Sequence, residues 1–248
     1  MRIIRVPYHI DDFLPGLDVP LAPDLDVTAD LPAATAWDRM AVLYSAVSQQ
    51  VADTVRGGAG LPVVQSGDCT TSLGTVAGLQ QTGADPGVVW FDAHGDVQTL
   101  ETSTSGYLGG LPLRLLMGYR PELIAARLGL RAVPEHQVAL VDARDLDPPE
   151  VSYLAGAQIR RSEVGELDAA GLPGGSLYVH LDLDVIDSGQ LPGLRFPAPG
   201  GPSPAQVTAA LSALLSTGRV AAIGVACTWY PGHSAADRIR QHLGAALA

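Results

Sequence analysis

Short, continuously apolar runs alternate along this chain with longer segments whose apolar residues recur every three or four positions. Segments 1–6 (MRIIRV), 61–65 (LPVVQ), 87–91 (GVVWF), 136–142 (HQVALVD), 176–184 (SLYVHLDLD) and 219–227 (RVAAIGVAC) are rich in β-branched residues and bounded by Gly, Pro or polar clusters. That pattern predicts buried strands. Between them, 37–55 sets Ala41, Leu43, Val47, Val51 and Val55 mostly on one helical face, and Gly57 and Gly58 end it. Segments 71–81, 111–118, 121–129, 203–218 and 234–247 read as further helices, with Ser203-Pro204 opening the 203–218 helix and Gly218 closing it. Strand–helix alternation with strands apolar on both faces predicts a parallel sheet covered on both sides, an α/β fold. No repeat interrupts the pattern, and residues 1–248 read as one domain. The Pro-rich stretch 14–34 reads as a surface connection, with a lid as its other reading.

Composition narrows the function classes. A chain 47% hydrophobic and 17% charged is not a disordered one. A net charge of −11 argues against a nucleic-acid partner, whose phosphates need a basic stripe. All 15 basic residues are arginine, so lysine-dependent chemistry is excluded: P-loop NTPases, Schiff-base enzymes and kinases. Two cysteines, Cys69 and Cys227, make no disulfide framework. The opening MRIIRVPYHIDD lacks the apolar core of a signal peptide, and no apolar run is long enough to span a membrane. A soluble, cytoplasmic protein is expected.

Polar clusters follow three of the predicted strands: Ser66-Gly67-Asp68-Cys69-Thr70 after the second, Asp92-Ala93-His94-Gly95-Asp96 after the third, and Asp182 with Asp184 at the end of the fifth. In open α/β sheets, ligands bind beyond the carboxyl ends of the strands, so the three clusters should meet in one crevice. Residues two apart in an extended segment face the same side, which pairs Asp182 with Asp184 and Asp92 with His94. Gly95 would permit a turn that brings in Asp96. Four carboxylates, an imidazole and a thiol would repel one another strongly there, and a pair of divalent cations is the simplest neutraliser. Oxygen-rich ligation with one histidine suits Mn²⁺ better than Zn²⁺ or Cu²⁺, although a thiolate favours softer metals.

The segments SGDCT (66–70), DAHGD (92–96) and DLDVID (182–187) resemble the GGDHS, DAHxD and DxDxxD signatures of the ureohydrolases, which include arginase, agmatinase and formiminoglutamase. ETSTSGYLGG (101–110), ARDLDPPE (143–150) and PAPGGPS (197–203) extend the likeness over most of the chain. The resemblance implies a three-layer α/β/α sandwich around a mainly parallel sheet, with two manganese ions. It implies that Asp92 and Asp182 bridge them, that Cys69 and Asp96 complete one ion, and that His94 and Asp184 complete the other. Asp147 would meet a substrate α-amino group and Ser103 and Ser105 its α-carboxylate, while Gln98 and Tyr107 stand where the family has Asn.

Three departures bear on the substrate. The ligand histidine of GGDHS is Cys69, whose deprotonation a metal would favour. The proton-shuttling histidine of the family's SGNxHG is Gly109, and the carboxylate that arginases turn towards the guanidinium is absent from VACTWYP (225–231). His9 and His233 follow strands and are candidate replacements for the proton carrier. His180 reads as a core or supporting group.

The resemblance therefore implies a manganese-dependent hydrolase of a guanidino C–N bond, with Asp96 as the proton carrier. The substrate best matched is Nω-hydroxy-L-arginine, giving hydroxyurea and L-ornithine as in antibiotic (D-cycloserine) biosynthesis. The alternatives are arginine, agmatine, another guanidino compound or peptide arginine as substrate, or a metal-binding relative without turnover. A monomer is expected, because Ala248 directly follows the last helical pattern and leaves no tail to join subunits.

Overall fold

A computed structural model describes residues 1–168 and 171–247. Its strands in chain order are β1 (Arg2–Val6), β2 (Tyr8–His9), β3 (Asp12–Phe13), β4 (Leu25–Asp26), β5 (Pro62–Ser66), β6 (Gly87–Asp92), β7 (Val138–Asp142), β8 (Arg160–Ser162), β9 (Leu177–Asp182) and β10 (Val220–Ala226). The helices are α1 (Ala36–Arg56), α2 (Ser72–Gln81), α3 (Pro112–Leu116), α4 (Ala125–Leu128), α5 (Pro148–Leu154), α6 (Pro204–Ser216) and α7 (Ala235–Ala246). Each of the six apolar runs forms a strand.

Eight strands build a parallel sheet in the order β4-β1-β5-β10-β9-β6-β7-β8, and β2 and β3 form a separate antiparallel pair. Successive strand residues point to opposite faces, so Val63 and Val64 enter different apolar layers. One layer packs Ile4, Val64, Trp90 and Leu140 against α1 to α4. The other packs Val63, Val89, Val179 and Ile223 against α6 and α7. The result is the expected three-layer α/β/α arrangement.

The chain order reverses between β5 and β6, where β9 and β10 are inserted. The carboxyl ends of β5, β10, β9 and β6 thus lie side by side, which is where a parallel sheet opens a crevice. No helix among the described residues is long and apolar enough to cross a membrane. Ala248, on which the monomer expectation leans, lies outside the described residues.

Four local features differ from the sequence reading. The 121–129 helix contracts to α4, closed by Gly129 in the left-handed region at φ +63°. The 111–118 helix contracts to α3. Helix α5 falls in a segment for which the sequence pattern predicts no helix: Pro148 and Pro149 occupy its first turn, where their missing N–H groups cost nothing, behind the N-cap Asp147. Within 14–34, Leu25 and Asp26 add a short edge strand to β1, clamped by Arg5 onto Asp26 at 2.9 and 2.6 Å, and Leu17 and Val19 are buried. The stretch is a packed connection and borders none of the crevice described next.

Candidate metal centre

Each strand end hands its polar cluster to the crevice through a tight turn. After β5, Asp68 caps a single 3₁₀ turn, Cys69–Thr71: its side chain accepts from the Thr70 N–H at 2.7 Å and from the Ile10 N–H at 2.5 Å. This fixes Cys69 with its thiol inward, 4% exposed. After β6, the Asp92 carboxylate accepts from the His94 N–H at 2.7 Å and from the Trp90 indole at 3.2 Å. After β9, Asp182 begins another 3₁₀ turn, Leu183–Val185, and accepts from the Asp184 N–H at 2.8 Å.

Two expectations about these turns need correction. Asp182 and Asp184 converge because the strand ends at Asp182 and folds into that turn, not because extended residues alternate. The left-handed residue in the DAHGD segment is Asp96 at φ +53°, not Gly95. Gly95 is small for another reason: a Cβ there would lie 2.7 Å from Glu150 Oε1 and 2.9 Å from Leu146 Cδ2.

All six expected ligand residues come together. The thiol of Cys69 lies 2.8 Å from Asp182 Oδ2 and 4.0 Å from Asp92 Oδ2. His94 Nδ1 is 3.2 Å from both Asp92 and Asp184. Ligand atoms of Cys69, Asp92 and Asp96 fall within 4.8 Å of one another, as do those of Asp92, His94 and Asp184, so Asp92 belongs to both groups. The four carboxylates are at most 5% exposed.

Electrostatics show how uncomfortable this cluster is when its own charges are left unbalanced. Burial, then the charges of Asp92 and Asp182, push Asp96 well up; burial, then Asp184 and Asp92, do the same to Asp182. Burial and Asp92 raise Asp184 to about 7. Burial opposes a charged His94, but its bonds to Asp184 and Asp92 prevail and lift it to about 12. The Cys69 thiol is pushed up by burial and by Asp182. Two like charges about 4 Å apart at a protein-like dielectric repel by about 4 kcal/mol. Asp96 Oδ2, buried, has no hydrogen-bond partner among the described residues. A buried acceptor with no donor, inside two sets of hard oxygen donors joined by one imidazole and one thiol, fits divalent cations.

The cluster floors a cleft of about 300 Å³. Gln98, Ser103, Ser105 and Asp147 all line it, together with Thr104, Glu150 and Phe196. Gln98 donates to Asp147 at 2.8 Å and accepts from Thr102 at 2.7 Å. Asp147 is also the α5 N-cap, its N–H meeting Glu150 at 3.1 Å, so its capping and cleft-lining roles coexist.

Thr228 was not foreseen. It follows β10 and donates its hydroxyl to Asp182 at 2.7 Å. It is the one residue of 225–231 in the cleft wall. Tyr107 lines the same cleft, and its ring turns onto Gly109, in the space a side chain there would occupy. Among the other histidines, His9 stands behind Tyr107, and His233 packs at Gly193 outside the cleft. His180 stacks on Trp90 at 3.7 Å, and burial lowers it to about 3, keeping it neutral.

Comparison with known proteins matches this arrangement. The chain is 32% identical over 171 residues to an arginase of Bacillus subtilis (strain 168), covering 63% of this chain and 57% of that protein. It is 32% identical over 173 residues to an Nω-hydroxy-L-arginine amidinohydrolase of Streptomyces lavendulae, covering 68% and 61%. The matched segments therefore span only a little over half the length of these curated relatives. In fold, it superposes on the crystal structure of Bacillus cereus arginase with a TM-score of 0.83 at 23% identity, over 99% of this chain and 96% of that one. The arginase family model matches residues 5–247, and the chain belongs to the arginase family.

Proposed function

We propose that the protein is a manganese-dependent amidinohydrolase that cleaves Nω-hydroxy-L-arginine to hydroxyurea and L-ornithine. The observation that carries this reading is Thr228. The segment after β10 offers the cleft one neutral hydroxyl, already committed to Asp182, and no carboxylate. A protonated guanidinium entering a buried site needs an anionic partner. An N-hydroxyguanidine is less basic and enters neutral, so it needs none. Similarity to the Streptomyces lavendulae enzyme supports the reading, and similarity to arginases at the same identity makes L-arginine the competing substrate.

Cys69, Asp96, Asp92 and Asp182 would hold one cation, and His94, Asp184 and the same two bridging aspartates the other. Bound there, the pair supplies Lewis acidity that makes water a nucleophile near neutral pH. The protein's own residues do the rest. Gln98, Ser103, Ser105 and Asp147 hold the amino-acid end, Asp147 keeping acceptor capacity for an ammonium beyond its bond from Gln98. Water adds to the guanidino carbon, the bond from that carbon to the ornithine nitrogen breaks, and the nitrogen leaves as an amine once protonated. Asp96 carries that proton: its unpartnered Oδ2 takes it from the water and returns it to the departing nitrogen.

Parallel assays of Nω-hydroxy-L-arginine, L-arginine and agmatine with manganese, scoring ornithine or putrescine, test this. Higher kcat/KM on the hydroxylated substrate is expected. Equal or better turnover of L-arginine refutes the substrate choice and leaves an arginase.

A further inference from the structure

Two aromatic rings, Phe196 and Tyr107, line the cleft near His94, and a third, His9, stands behind Tyr107. Phe196 meets the His94 ring edge-on at 6.3 Å and tilts against Tyr107 at 4.8 Å. Tyr107 in turn lies nearly parallel to His9, with centroids 5.7 Å apart and 16° between planes. Gln98, Ser103, Ser105 and Asp147 line the same cleft, and the Ser105 hydroxyl accepts from the Tyr107 N–H at 3.2 Å.

The hydrogen bonds of His9 fix what Tyr107 shows to that space. His9 Nδ1 lies 2.8 Å from the Gly67 carbonyl oxygen, which only accepts, so Nδ1 carries a proton. In the neutral ring, Nε2 is then a bare acceptor, 3.3 Å from the Tyr107 hydroxyl. The phenol proton is committed to His9, which leaves the phenol oxygen an acceptor beside Gly109, a residue of the cleft lining. Burial and the neighbouring Asp68 charge hold the Tyr107 pKa high, so the oxygen keeps its proton.

Gly109 makes this placement possible. A Cβ built on it would overlap the outer atoms of the Tyr107 ring and its hydroxyl. Its backbone is not in the left-handed region, so alanine would meet no backbone penalty there, only the ring.

We propose that Tyr107 binds the guanidino end of the substrate, accepting a hydrogen bond from its terminal N–H or N–OH, with His9 as the positioning residue and Gly109 as the vacancy that admits the ring. This rests on the reading of the cleft as a guanidino site. It adds a neutral, oriented acceptor to a cleft to which the segment after β10 brings no carboxylate, which suits a neutral guanidine better than a cation.

The test uses the manganese-loaded full chain, four single variants and one double variant. Tyr107→Phe should lower kcat/KM on Nω-hydroxy-L-arginine about tenfold, the usual worth of one such bond. It should leave calorimetric affinity for L-ornithine, which lacks a guanidino group, within twofold (about 0.4 kcal/mol). Gly109→Ala should reproduce that loss by displacing the ring, and the Gly109→Ala/Tyr107→Phe double variant should be no worse than either alone. His9→Ala should lose activity and His9→Gln, which restores an acceptor, should regain part of it. Tyr107→Phe with unchanged kcat/KM, or with ornithine affinity falling in step, overturns the proposal while leaving the functional reading intact. Wild-type protein that turns over none of the three guanidino compounds overturns both together.

Discussion

Replacing Asp182 by Asn tests the metal centre with effects of opposite sign in the two states of the protein. Asp182 Oδ1 accepts from Thr228 at 2.7 Å and from the Asp184 N–H at 2.8 Å, while Oδ2 faces the Cys69 thiol at 2.8 Å. Asparagine keeps the shape and the Oδ1 bonds, removes the charge and replaces the Oδ2 acceptor of the Cys69 thiol by an amide donor. Unit charges about 4 Å apart interact by about 4 kcal/mol at a protein-like dielectric. Each cation carries two charges, so about 4 kcal/mol is the least that binding should lose, close to a thousandfold in Kd. Manganese at about a hundred times the wild-type Kd stabilises by about 2.7 kcal/mol. For a chain of this size that raises Tm by about 5–10 °C. At the same concentration the variant should gain well under about 1 °C. Without metal the order reverses at pH 8: the variant melts above wild type, because a carboxylate pushed up by burial and by Asp184 is gone. Thermal melts with and without manganese, beside metal counts on the purified proteins, measure both effects. A variant that keeps two ions per chain and the full rise in Tm would falsify the bridging role.

Other outcomes follow from the same geometry. Metal-free protein should be more stable to urea at pH 5 than at pH 8. Asp184, raised from 3.8 to about 7 by burial and Asp92, contributes fully below its unfolded value and loses that contribution as pH climbs through the folded one. Asp96 and Asp182 act in the same sense, and so does His94, raised from 6.5 to about 12; metal-free stability that grows with pH would contradict these signs. Cys69→Ala should retain one ion per chain and Cys69→His two, read by elemental analysis; two ions retained in the alanine variant would remove the thiol from the ligand set. Gly95→Ala forces a Cβ to 2.7 Å from Glu150 Oε1 and should cost about 1–3 kcal/mol, a Tm lowered by roughly 2–10 °C. An unchanged melting point would show that Glu150 yields freely.

The strand-end clusters were legible because an apolar run followed at once by Asp, His or Cys is a two-part signal. Periodicity places the strand, and the parallel sheet then places its polar end. What escaped was set by short-range geometry that hydropathy does not encode. Asp184 reaches the crevice through a 3₁₀ turn, and Asp96 through its own left-handed backbone. Helix α5 hid behind two prolines that its first turn tolerates. The edge strands β4 and β8 are too short and polar to show a period. The position of Tyr107 over Gly109 depends on a side-chain rotation that sequence spacing cannot specify, and Thr228 became visible as a cleft residue only once β10 lay beside β9.

The insertion of β9 and β10 between β5 and β6 also orders the birth of the protein. On the ribosome, β4, β1 and β5 emerge able to pair, and so later do β6, β7 and β8, but these two groups have no hydrogen-bonded seam between them until the last two sheet strands are made. Cys69 and the Asp92–Asp96 segment wait on opposite sides of that gap. Contacts so distant in sequence make folding slow and leave unpaired strand edges exposed meanwhile. The complete set of candidate ligands first exists when Asp182 and Asp184 arrive, so a metal held by this cluster would be taken up late in synthesis, and a chain stalled before β9 carries only part of that set.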